Sequence, residues 1–113
     1  MTADRMRRVD EAIREVLSDA VNQGLKDPRI GFVTVTDVKT SSDLRHARVY
    51  VTVLGGDDER AATLAGLQSA HGLLQRQVAR ELRMKRTPTL QFLYDDTTDR
   101  AMHIEELLSE DDG

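Results

Sequence analysis

Arg76, Arg80 and Arg83 recur at spacings of four and three residues, and Lys85 and Arg86 follow directly. A guanidinium is planar, permanently charged and forked, so several in a row grip phosphate oxygens bidentately. The chemistry this row suits is binding to a nucleic-acid backbone. On a helix these arginines point roughly opposite to Leu74, Val78 and Leu82, so burying the apolar stripe turns the basic one outward. A merely solvated helix face reads the same way from charge alone. Two details favour binding: Arg76 and Arg80 repel each other at i, i+4 with only Glu81 near in sequence, and Arg7 and Arg8, beside Arg5, offer an extension of the patch. Against this, Arg7 with Glu11 and Asp10 with Arg14 are spaced to pair on an ordinary solvated helix.

The next candidate is Ser69-Ala70-His71-Gly72, which lies between two helical stripes. Small residues there permit a kink and close backbone approach by a ligand, and a plain helix-helix turn with Gly72 chosen for conformation fits as well. Hydrolytic and metal chemistry has less to stand on. His46, His71 and His103 fall on different elements, and Asp95, Asp96, Asp99 and His103 straddle a strand end and a helix start, where aspartates serve as turn and cap residues. A metal-dependent nuclease using Asp95 and Asp96 is the enzymatic rival. No dinucleotide or phosphate-loop glycine pattern, Ser-His-Asp elbow or Gly-x-x-Gly clamp occurs. No catalytic residue, cofactor, metal or small-molecule substrate is expected.

These residues must be positioned by one domain, since 113 residues match the ~100 to 150 typical of one. Absence of cysteine rules out disulfides and thiolate zinc sites and suits a reducing compartment, with the cytoplasm as the default. No stretch approaches the ~18 apolar residues of a membrane span. The net charge of −4 hides an asymmetry: residues 1–88 hold fifteen of the sixteen basic side chains and sum to +3, while residues 89–113 sum to −7. A near-neutral to basic body with an acidic tail keeps nucleic-acid binding open.

Met6, Val9, Ile13, Val16, Leu17, Ala20 and Val21 predict an amphipathic helix that ends near Gly24, and Pro28 and Gly31 break the chain before a new element. Val33 and Val35 alternate with Thr34 and Thr36, and Val49, Val51 and Val53 with Arg48, Tyr50 and Thr52, so two strands pair around Ser41-Ser42-Asp43. Gly55-Gly56-Asp57 caps a helix carrying Ala61, Leu64 and Leu67, with Gly66 costing ~1 kcal/mol inside it. A second helix runs to Thr87-Pro88, and Thr89 to Tyr94 form a third strand after a crossover long enough for parallel pairing. Ala101, Ile104, Leu107 and Leu108 predict a short final helix. The expected fold class is α+β, order α-β-β-α-α-β plus that helix, with a three-stranded mixed sheet and helices on one face. All four aromatics, Phe32, Tyr50, Phe92 and Tyr94, fall in or beside strands, so no exposed platform for stacking bases is expected.

Lys26-Asp27-Pro28-Arg29-Ile30-Gly31, Val33 to Val38, Ser42-Asp43-Leu44, Ala47 to Val51, Ala70-His71-Gly72, Pro88 to Phe92 and Tyr94-Asp95-Asp96 together resemble the ribosome-binding factor A family, from about Arg5 to Leu108. The resemblance implies a type II KH-like RNA-binding domain over residues 1–108, with an Ala-x-Gly kink, here Ala70-His71-Gly72, in place of the Gly-x-x-Gly loop. It further implies a factor that binds the free small ribosomal subunit, assists late maturation of its ribosomal RNA including the 5′ end, and supports growth in the cold. Gln75 departs from the arginine that many relatives carry. Residues 109–113 are expected to be a disordered acidic tail and the protein a monomer. The expected RNA-binding residues are Arg7, Arg8, Ala70, His71, Gly72, Arg76, Arg80, Arg83, Lys85 and Arg86. The rival from another binding class is a general single-stranded RNA-binding KH module.

Overall fold

The computed structural model describes residues 3–96. The elements follow the order α1 (Ala3–Asn22), β1 (Val33–Thr40), β2 (His46–Val53), α2 (Asp57–Ser69), α3 (His71–Leu82) and β3 (Thr89–Tyr94). The expected final helix and acidic tail lie outside the described residues. The sheet order is β1-β2-β3, with β1 antiparallel and β3 parallel to the central strand. The parallel pair is possible because α2 and α3 form the crossover.

Burial follows the sequence periods. Ile13, Val16, Leu17 and Ala20 of α1 are buried at helical spacing, and Ala47, Val49, Val51 and Val53 are buried at every second position of β2. Leu67, Leu74, Val78, Leu90 and Phe92 complete the core. The helices cover this apolar face; Arg48, Thr34, Thr89 and Gln91 are exposed on the other.

Strand β1 departs from strict alternation. Val35 pairs with Val51 but Asp37 pairs with Tyr50, so Thr36 is the extra residue of a β-bulge. Without it Val38 would face away from Val33 and Val35; with it Val38 joins the core at 1% exposure. The Thr36 hydroxyl donates to Asp95 Oδ2 at 2.5 Å and also approaches the Tyr50 carbonyl at 3.2 Å. Asp95 thereby ties the end of β3 to the bulge, a structural use of one of the two aspartates that a nuclease would need.

The segment 26–31 lies on α2. The Ile30 N–H donates to the Asp27 carbonyl, closing a turn over Pro28, and the Arg29 guanidinium meets Asp27 Oδ2 at 2.7 Å and Ser69 Oγ at 3.0 Å. Thr63, 1% exposed, accepts from the Gly31 N–H at 3.2 Å and donates to the Arg29 carbonyl at 3.3 Å. Gly66 faces this loop: a Cβ there would stand 2.6 Å from Ile30 Cγ1. The helical cost of Gly66 is therefore exchanged for close packing of loop on helix.

Candidate nucleic-acid interface

Between α2 and α3 only Ala70 is non-helical, at φ −87° and ψ 4°. Its N–H bonds to the carbonyls of Gly66 and Leu67, and its own carbonyl receives the Leu74 N–H, so the bend forms with little loss of backbone hydrogen bonding. Ala70 is half-buried and packs against the core. His71 is exposed, and its Nδ1–H donates to the Gln68 carbonyl at 2.7 Å, capping an open end of α2 and leaving Nε2 available. Gly72 has an ordinary helical φ, and a Cβ on it would meet nothing within 4 Å. Nothing in the fold requires glycine at 72, in contrast to Gly66; the missing side chain keeps a stretch of helix backbone accessible from outside.

Arg76 and Arg80 are exposed one turn apart on α3. Neither has an ion-pair partner among the described residues. Glu81, the single acid of this helix, instead accepts from the Gln77 side chain at 3.2 Å. Gln75 is half-buried, with its Oε1 enclosed and unpartnered among the described residues.

The basic row bends away from the helix sooner than its spacing suggests. α3 ends at Leu82, not near Thr87, because Arg83 adopts the left-handed conformation (φ 53°, ψ 42°) and the Met84 N–H reaches back to the Ala79 carbonyl at 3.1 Å. This is a Schellman stop with arginine where glycine is usual, and Met84 packs against the core beyond it. Arg83, Lys85 and Arg86 are thus exposed on the connection to β3 and do not continue the face of Arg76 and Arg80 by helical phase.

That connection delivers the cations to one end of the sheet. The Thr89 N–H bonds to the Arg45 carbonyl and Thr89 pairs with His46. Asp10 of α1 accepts from the Thr40 N–H at 2.9 Å, which holds the N-terminal half of α1, with Arg7 and Arg8, toward the same end of β1. Arg7 is ion-paired with Asp4 at 3.4 Å and Arg14 with Glu11, so the pairs suggested by i, i+4 spacing form at i, i+3 with other partners. Arg8 is exposed without a partner among the described residues. A groove of about 680 Å³ opens here, lined in part by Lys39, Ser41, His46, Arg48, Gln68 and Gln91. None of these six residues belongs to the expected RNA-binding set, although alternation with Val49 already places Arg48 outward. Gln68 was not recoverable: its amide donates to the Leu90 carbonyl and accepts from the Phe92 N–H, covering the outer edge of β3.

The family model of ribosome-binding factor A matches residues 5–108. The chain belongs to the ribosome-binding factor A family. A ribosome-binding factor A from Geobacter metallireducens is 47% identical over 106 residues, covering 94% of this chain and 90% of the relative. The crystal structure of ribosome-binding factor A from Thermus thermophilus superposes with a TM-score of 0.68 at 31% identity, over 79% of this chain and 94% of that one. A Thermus thermophilus ribosome binding factor A homology model, fitted into a cryo-electron-microscopy map of a 30S complex, superposes at 0.62 with 32% identity, over 74% and 88% of the two chains. Among the described residues no helix is long and apolar enough to cross a membrane.

The aromatic expectation needs one correction within this family fold. Phe92 is buried and Tyr94 lies beneath the Arg60 guanidinium, 3.6 Å from the ring centroid, but Phe32 is 80% exposed. It stands at the opposite end of β1 from the basic groove, because it precedes the strand whose far end carries Thr40.

Proposed function

We propose that this protein is a non-catalytic assembly factor that binds the free small ribosomal subunit as a monomer in the cytoplasm. There it assists late maturation of the ribosomal RNA, including its 5′ end, and supports growth in the cold. No cofactor, metal or small-molecule substrate takes part. The observation that carries the reading is the pairing of Arg76 and Arg80, exposed and without acidic partners among the described residues, with the open backbone at Gly72. Partnerless guanidinium groups keep their full capacity for phosphate oxygens, and a helix start without a side chain lets a sugar-phosphate backbone come close.

The proposed footprint comprises Arg7, Arg8, Ala70, His71, Gly72, Arg76, Arg80, Arg83, Lys85 and Arg86. Ala70 acts by setting the bend, the cations by holding phosphates. Contacts of this kind recognise the shape of folded RNA more than its bases, and they shift the RNA toward whichever conformation fits them. The complex of the Thermus relative with 30S supports the partner.

Cosedimentation with separated small subunits, large subunits and joined ribosomes at two salt concentrations tests the reading. Selective, salt-sensitive association with free small subunits is expected. Each phosphate contact removed by Arg76→Ala or Arg80→Ala should flatten the log-log salt dependence by roughly 0.7 to 0.9. Unchanged affinity in the double variant would reject this face, and tight binding of short single-stranded oligonucleotides would favour a general KH module instead.

A further inference from the structure

At the end of the sheet remote from the basic groove, two large apolar side chains stand together in the open. Phe32 is 80% and Leu54 75% exposed, and they are neighbours across the first rung of the hairpin, the Leu54 N–H donating to the Phe32 carbonyl at 3.0 Å. We propose that this end is a second docking surface, which takes a lysine- or arginine-rich segment of a protein partner carrying an apolar anchor.

A contiguous exposed apolar patch rimmed by polar residues is the mark of a contact surface, and the pair is the apolar centre of such a patch. A shallow groove lies on each side of the pair. One, of about 400 Å³, is bounded by Pro28, Arg29, Gly31, Asp58 and Glu59; the other, of about 460 Å³, by Asn22, Thr34 and Thr52. The rim therefore carries Asp58 and Glu59 from the acidic first turn of α2, with Asp57 next to them in the chain. Two nearby cations, Arg29 and Arg60, are already engaged. Arg29 is held by Asp27 at 2.7 Å, and Arg60 lies over Tyr94 with Asp57 at 3.9 Å.

Charge selects among possible occupants. The acidic rim repels phosphate, which argues against Phe32 as a platform for nucleic-acid bases despite its open ring. The chain's own residues 97–113 carry six acidic side chains against Arg100, so they meet the same repulsion. A two-fold contact with a second copy would bring one acidic rim against another. A basic segment with a Leu- or Phe-like anchor satisfies both the apolar pair and the rim. The surface lies roughly 25 Å from the basic groove along β1, so both can be occupied at once.

The test uses the full-length protein, isotope-labelled, titrated with a short synthetic peptide alternating lysine and leucine, and followed by amide chemical shifts. Saturable shifts confined to residues 31–33 and 54–59 are expected. Phe32→Ser or Leu54→Ser should weaken binding at least about tenfold. The Asp57→Asn and Asp58→Asn pair should weaken it less, with most of the loss at low salt. An Arg76→Ala, Arg80→Ala variant should bind the peptide as the parent does, which separates this surface from the proposed RNA face. Absence of saturable shifts, or equal binding of a glutamate-leucine peptide, would overturn the proposal. So would movement of the same amides on Ile104→Ser and Leu107→Ser, on raising protein concentration, or on adding single-stranded polyuridine, which would assign the surface to the tail, a second copy or nucleic acid respectively.

Discussion

Gly66 and Ile30 are so close that a single methyl group on the glycine would come within 2.6 Å of Ile30 Cγ1. The turn over Pro28 rests on α2 only because residue 66 has no side chain. Gly72, six residues further on, has the opposite surroundings, with open space where its Cβ would be. The two glycines should therefore respond oppositely to the same change. Gly66→Ala should lower stability by about 1–3 kcal/mol in urea denaturation, from overpacking. Gly72→Ala should leave stability unchanged or raise it by about 0.5–1 kcal/mol, since a helical glycine gains from a Cβ, while weakening cosedimentation with small subunits.

Arg83 holds a left-handed backbone that an L side chain adopts at a cost of roughly 1 kcal/mol. Arg83→Gly should relieve that cost and raise the melting temperature, yet lower affinity for the small subunit by removing a cation. A loss of stability would show that the side chain contributes to the fold, and unchanged affinity would remove Arg83 from the binding face.

Gln68 bridges the Leu90 carbonyl and the Phe92 N–H at the free edge of β3. Gln68→Ala should expose both groups, cost about 1 kcal/mol, and speed amide hydrogen exchange at Phe92 before other core amides. Unchanged exchange at Phe92 would mean that the edge is protected by something else.

Asp27 is held below the ordinary aspartate value of 3.8, first by its side-chain hydrogen bonds with the Arg29 guanidinium and then by the Arg29 backbone N–H. A carboxyl depressed on folding contributes stability above its unfolded pKa and loses it as pH falls through the folded value. The stability gap between the parent and Asp27→Asn should therefore be constant near neutrality and shrink on acidification below the unfolded aspartate range. Urea midpoints across that range would check it, and a gap independent of pH would remove the carboxylate from the account.

The element order was legible because each element follows its own period. Apolar residues recur every three or four positions in α1 and every second position in β2, and Pro28, Gly55-Gly56 and Pro88 punctuate them. The parallel third strand followed from the length of the crossover. The bulge at Thr36 was not legible, since Val33 to Thr36 alternate without a flaw and only the demand that Val38 enter the core, with Asp95 reaching Thr36, makes the extra residue worthwhile.

The candidate site divides along the same line. The types and spacing of Arg76, Arg80 and the Ala70-His71-Gly72 bend were determined by the sequence, as was their outward direction, because local helical geometry ties them to the buried stripe of Leu74 and Val78. Contacts between distant residues decided the rest. The early stop at Arg83, the convergence of Lys85, Arg86, Arg45 and His46 at one end of the sheet, the cover that Gln68 gives β3, and the exposure of Phe32 beside Leu54 all depend on which elements meet. No local spacing carries that information, since strand register and helix docking are fixed only when one shared core is filled.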